Sequence, residues 1–143
     1  MATTIVNSVS GKPVTGSLRV WLRLEGFSAF MLAVYLYRQM HASWLLFAIL
    51  FLAPDLSMLG YLAGSRAGAA VYNAVHSYIL PLALTAFAIL ADHHAVLPYA
   101  LIWIAHIGFD RTLGYGLKYA SGFGHTHLGW NGKQRMEESA GSS

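Results

Sequence analysis

Residues 95–119 read AVLPYALIWIAHIGFDRTLGYGLKY. The opening eleven suit a hydrocarbon environment, yet His106, Asp110 and Arg111 follow at once. A charged side chain at the centre of a membrane helix costs about 2.5–3.5 kcal/mol on insertion scales, so such residues face a bundle interior, pair with one another, or enclose an ion or water. Whether the chain belongs in a membrane decides how the stretch is read. Of its 143 residues 56% are hydrophobic and 10% charged, where soluble domains carry about 25% charged residues. That balance argues for an all-α membrane protein.

The absence of cysteine excludes a disulfide framework, a thiolate metal site and a cysteine nucleophile. A formal net charge of +3 is too small to argue for nucleic acid as a partner. The opening MATTIVNSVSGKPVTGS has no basic region leading directly into an apolar core, so no cleavable signal peptide is expected.

Outward from the quoted stretch, four apolar runs are legible, at residues 18–37, 43–62, 67–90 and 95–115. Each is near the roughly 20 residues that cross a hydrocarbon core. The links RQMHA, AGSRAG and ADHH are short, which suits antiparallel neighbours in an up-and-down four-helix bundle. Residues 1–17 form an N-terminal segment, 18–119 the transmembrane domain, and 120–143 a C-terminal segment whose end has the composition of a disordered tail. Lys12, Arg19, Arg23, Arg66, Arg111, Lys118, Lys133 and Arg135 fall at one end of the bundle and only Arg38 near the other. The positive-inside rule then places both termini in the cytoplasm of a multi-pass inner (plasma) membrane protein.

At a rise of about 1.5 Å per residue, Glu25, Asp55, Asn73, His76, His106 and Asp110 all fall about 8–15 Å from the cytoplasmic face. Every helix delivers a polar group to one layer. Asn73 and His76 are three apart, His106 and Asp110 four, so each pair shares a helix face. Glu25, Asp55 and Asp110 with two imidazoles make an acceptor-rich set. One permanent cation stands close in sequence, Arg111, turned about 100° from Asp110 around the helix. A divalent metal, zinc, iron or manganese, would supply the missing positive charge, since oxygen and imidazole donors suit those ions. Structural alternatives exist for each residue. His76 and Asn73 could be hydrogen-bonded linkers between helices, Asp55 could cap a helix restarted at Pro54, and Glu25 could pair with Arg23 or Arg111. His93, His94, His125 and His127 read as loop residues, with GFGHTHLG able to fold back over the bundle mouth. Trp21, Trp44 and Trp103 read as interface or packing aromatics.

The segments LRLEG, PDLSMLGYLAG, GAAVYNAVHSYILPL and ALIWIAHIGFDRTLGYGLKY, followed by GFGHTHLG, resemble the Domain of Unknown Function 4260 family of small bacterial integral membrane proteins. The resemblance covers residues 18–129. Its matching polar positions are Glu25, Asp55, Tyr61, Asn73, His76, His106, Asp110, Arg111, Tyr115, Lys118, His125 and His127. It implies a multi-span membrane protein and brings no reaction with it.

Three functional readings follow. The first is a metal-dependent hydrolase of a lipid or amphiphile: His76, His106 and Asp110 hold the metal, Asp55 or Glu25 is a further ligand or the general base, and Arg111 and Lys118 receive a lipid phosphate. Tyr61, Asn73, Tyr115, His125 and His127 are supporting polar groups. The second is a proton- or cation-coupled transporter or channel subunit, which at this size would homo-oligomerise. The third is a haem b protein with His76 and His106 as axial ligands.

Overall fold

The first apolar run folds as one uninterrupted helix, α1 (Ser17–Gln39), whose interior contains no proline and a single glycine, Gly26. In the second run Ser43 caps α2 (Trp44–Phe51), its Oγ accepting from Leu46 N at 3.4 Å. Pro54 then brings no N–H for the carbonyl four residues earlier, and its ring crowds that carbonyl. The chain tightens into a 3-10 helix over Ala53–Ala63, far longer than the three or four residues usual for such a stretch. Gly64, at φ +112°, turns the chain within one residue into α3 (Ser65–Val75). This computed structural model describes residues 16–118, 125–126 and 129–130. The expected N-terminal segment before residue 16, His127 and the tail after residue 130 lie outside the described residues.

The third run differs from the single helix expected over 67–90. It breaks after α3 and resumes as α4 (Ile79–Leu90), with Pro81 in the first turn of the second piece. A break at membrane depth frees carbonyls that need donors from neighbouring helices. Both donors come from α5 (Leu97–Leu113): Trp103 Nε1 donates to Val75 O at 2.7 Å, and Arg111 Nη2 to His76 O at 2.9 Å. α5 stops at Gly114, whose N–H bonds Arg111 O while Tyr115 N–H bonds Asp110 O, a glycine-closed C-terminus of the Schellman type. Beyond it β1 (His125–Thr126) and β2 (Gly129–Trp130) pair antiparallel.

α5 is the central element, packing against α1, α2 and α4, while α3 packs on the 3-10 helix. Ala100, Leu101, Ile102, Ala105, His106, Ile107 and Gly108 of α5 are all buried. The closest approach is to α1. A Cβ on Gly108 would lie 2.7 Å from both Gly26 O and Phe30 N, and one on Gly26 would lie 2.4 Å from Arg111 Cβ, so only paired glycines let these backbones touch. Ala33, Tyr37, Leu101, Ile102 and Ala105 continue this seam as the core. Large apolar residues point outward instead, among them Leu45, Leu62, Ile79 and Leu90. A core rich in alanine, glycine and histidine beside a few larger apolar residues, under a surface carrying many exposed leucines and isoleucines, matches a lipid solvent, in which helices associate by close packing.

Three helical stretches, Ser17–Gln39, Trp44–Ala63 and Ser65–Leu90, are long and apolar enough to cross a membrane. α5, at 17 residues, is shorter and is wrapped by the others. The four equivalent spans expected from the sequence are therefore unequal: one is a core helix, one changes helical type midway, and one is broken.

Candidate metal centre

The two irregular places in the fold converge on the same point. The 3-10 segment carries Asp55, the break after α3 carries His76, and the buried face of α5 carries His106 and, one turn on, Asp110. One ligand atom from each of these four residues lies within 4.8 Å of every other. His76 Nε2 is 3.7 Å from Asp55 Oδ1 and 3.6 Å from Asp110 Oδ2. His106 Nε2 is 3.6 Å from each of the same two oxygens and 3.1 Å from His76 Nε2. An N–H donating to a carboxylate closes to about 2.7–2.9 Å, so the four N···O separations are too wide for direct hydrogen bonds. A tetrahedral ion with donors at about 2.0–2.1 Å spaces those donors about 3.3–3.4 Å apart. The four donor atoms form a group that could hold a metal ion.

The surroundings fix which nitrogens face inward. His76 Nδ1 lies 3.1 Å from the Tyr72 carbonyl oxygen, with Ser57 Oγ at 3.5 Å. A carbonyl only accepts, so Nδ1 carries the proton and neutral His76 turns its Nε2 lone pair toward the group. The Tyr72 ring stacks on the His76 ring at 3.8 Å, and Phe51 meets His106 edge-on at 5.4 Å. Among the described residues His106 Nδ1 is buried without a hydrogen-bond partner. The two histidines are almost fully enclosed, whereas the side chain of Asp110 is 16% exposed and that of Asp55 39%. The site is closed on its histidine side and opens past Asp55.

Residues 19–130 match the family described as Domain of unknown function (DUF4260). The chain belongs to that family. No curated protein matches, and no solved structure does.

Around the four donors, this DUF4260 chain sorts the remaining polar residues into separate places. Glu25 does not join them: it lies on the exposed side of α1, one position before the buried Gly26 that faces α5, and equal depth gives it no common face with the site. Arg111 also departs from expectation. Rather than turning to headgroups, it is half-buried and donates to His76 O at 2.9 Å and to Tyr115 O at 3.0 Å, tying the break after α3 to the chain beyond α5. Asn73 clamps that same chain, giving Nδ2–H to Lys118 O and accepting Lys118 N–H on Oδ1, both at 2.7 Å. The Lys118 side chain is drawn inward, with Nζ 4.1 Å above the Tyr72 ring and 5.6 Å from that of Tyr61. Burial holds its ammonium down to about 8, against the upward pull of Asp110 and Asp55. A cation on one face of Tyr72 and His76 on the other make a stack that links Lys118 to the site. Tyr115 is exposed and contributes backbone only. His125 pairs in register with Trp130, and His127 lies outside the described residues.

Asp55 does not serve as a cap, since the 3-10 helix has no side-chain cap bond; its carboxylate faces the two imidazoles. The haem reading fails on space and polarity. The His76 and His106 ring centroids are 5.1 Å apart at 65° with two carboxylates against both, leaving no apolar slot for a porphyrin. Tyr72, Ser57, Phe51 and Trp103 surround the site without any charge or metal-ligand signature in the sequence. The sequence signal for Tyr72 is its place four positions before His76 on the same helix face.

Proposed function

We propose that this chain is an integral membrane metalloprotein that crosses the bilayer four times with both termini in the cytoplasm, and that it acts as a metal-dependent hydrolase on a lipid or amphiphile. The observation that carries the metal is the spacing: four N···O separations of 3.6–3.7 Å between two imidazoles and two carboxylates, wider than N–H···O bonds, in a group whose four donor atoms all lie within 4.8 Å of one another. Oxygen and nitrogen donors without sulfur suit zinc, manganese or iron. His76, His106 and Asp110 hold the ion. Asp55, the most exposed of the four, is either the exchangeable fourth ligand or the base that takes a proton from water.

A bound divalent ion would acidify its water and polarise a carbonyl or phosphoryl oxygen. The chain supplies the rest: Tyr72 fixes the tautomer of His76, and Lys118, held against Tyr72, offers a positive charge to an anionic group at the site mouth. A cation or proton path is less well supported, because it needs polar access from both faces. The cleft formed by Leu50, Pro54, Val75, Ile102 and Trp103 is apolar and supplies no such path.

The test is turnover of a fluorogenic ester amphiphile by detergent-purified, metal-loaded protein. Asp55→Asn should retain the ion at near-normal stoichiometry and lose at least about a hundredfold in rate, the usual scale for losing a general base. Equal turnover by wild type and Asp55→Asn, or by wild type with and without metal, would refute the hydrolase reading.

A further inference from the structure

An apolar cleft of about 290 Å3 is lined by residues that neighbour three of the four donors in sequence. Its walls follow from the same three elements. Pro54 and Val75 immediately precede Asp55 and His76, and Ile102 lies one turn before His106 on α5; Leu50, Ala53, Tyr99 and Trp103 complete the lining. No charged residue lines it. Trp103 gives its N–H to Val75 O at 2.7 Å, so its polar atom is spent and its ring remains as wall. A volume of about 290 Å3 holds roughly ten methylene groups, if each takes about the 30 Å3 of a water molecule.

An apolar cleft within a bilayer attracts a hydrocarbon chain no more strongly than surrounding lipid does, because lipid tails are equally apolar. What would fix a chain there is a polar head anchored at the neighbouring donors. We propose that the cleft seats the hydrocarbon chain of a single-chain amphiphile of about ten carbons whose polar linkage lies against Asp55, His76, His106 and Asp110. This assignment of substrate class rests on the metal-centre reading given above. The cleft then determines chain length, and the metal group determines the head.

The test uses a decyl hydroxamate, a metal-binding head on a ten-carbon chain, carrying a photoreactive diazirine at mid-chain. It is added to full-length protein in detergent with zinc supplied, and the adducts are mapped by mass spectrometry. Labelling is expected at residues 50–54, 75 and 99–103, suppressed by a tenfold excess of plain decyl hydroxamate. It should fall at least tenfold in Ala53→Phe, which fills the cleft, with zinc content unchanged. Ala53→Leu serves as a smaller plug should the Phe variant fail to fold. The proposal is overturned if adducts spread over the outward surface, where Leu62 is 88% and Leu90 86% exposed, or if filling the cleft leaves the pattern unaltered. Zinc bound with scattered labelling refutes the cleft alone, whereas labelling of the cleft in protein that binds no zinc upholds the chain's seat and refutes the metal reading.

Discussion

Arg111→Ala separates a residue that builds the site from one that greets a lipid headgroup. Its guanidinium bonds His76 O at 2.9 Å and Tyr115 O at 3.0 Å. The Tyr115 end is exposed, so water replaces that bond at little cost. His76 is almost fully buried, and its carbonyl has lost its helical donor at the break after α3. Losing a charge-assisted bond there, and leaving the acceptor unsatisfied, costs about 2–3 kcal/mol. The same carbonyl belongs to the residue whose ring faces the donor group, so freeing it should also loosen the site. Metal affinity is expected to fall about 10–100-fold, as when an outer partner of a ligand is removed. Thermal unfolding in detergent, followed by helical circular dichroism, and a zinc titration measure the two effects on one sample. Unfolding within about 0.5 kcal/mol of wild type together with unchanged zinc affinity would refute the clamp, and would return Arg111 to the surface role that its sequence position suggests.

Other consequences are checked more simply. Gly108→Ala must push α1 from α5, because the added Cβ meets Gly26 O and Phe30 N at 2.7 Å; a loss of about 1–3 kcal/mol is expected in thermal unfolding, and a neutral result would contradict the helix contact. Lys118 is held down to about 8 from its ordinary 10.5, so the folded state binds fewer protons than the unfolded state between those values and stability rises with pH there. Lys118→Met should accordingly be more stable than wild type at pH 7, with the gap closing by pH 10.5; a gap independent of pH would show that burial does not penalise this ammonium.

Much of the site was legible because two numbers suffice to find it: depth along a helix and spacing around it. Asp55, His76, His106 and Asp110 share a depth, and the last two share a face by their spacing of four. Glu25 shares the depth as well, but rotation decides access, and its neighbour Gly26 takes the face toward α5. Arg111 illustrates a different limit. Helical geometry turns it away from Asp110, and its position near the end of the span suggests a lipid phosphate as partner; the partner it has is set by Pro81. A proline there breaks the third helix and frees carbonyls at membrane depth, and a long donor on the adjacent helix is what such carbonyls need. At Pro54 the sequence suggests a restarted helix capped by Asp55; the chain instead tightens to 3-10 geometry, and Asp55 faces the imidazoles. The inequality of the four helices was hidden for another reason: in lipid the core helix and the outer helices are equally apolar, so composition does not reveal which one lies in the middle.

The most direct measurement is elemental analysis of the detergent-purified protein beside His106→Ala. Wild type should carry, or take up from added zinc, manganese or iron, one divalent ion per chain, and the variant should lose it while keeping its helical circular dichroism. A folded wild-type protein that arrives without metal and binds none of the three would contradict the metal centre.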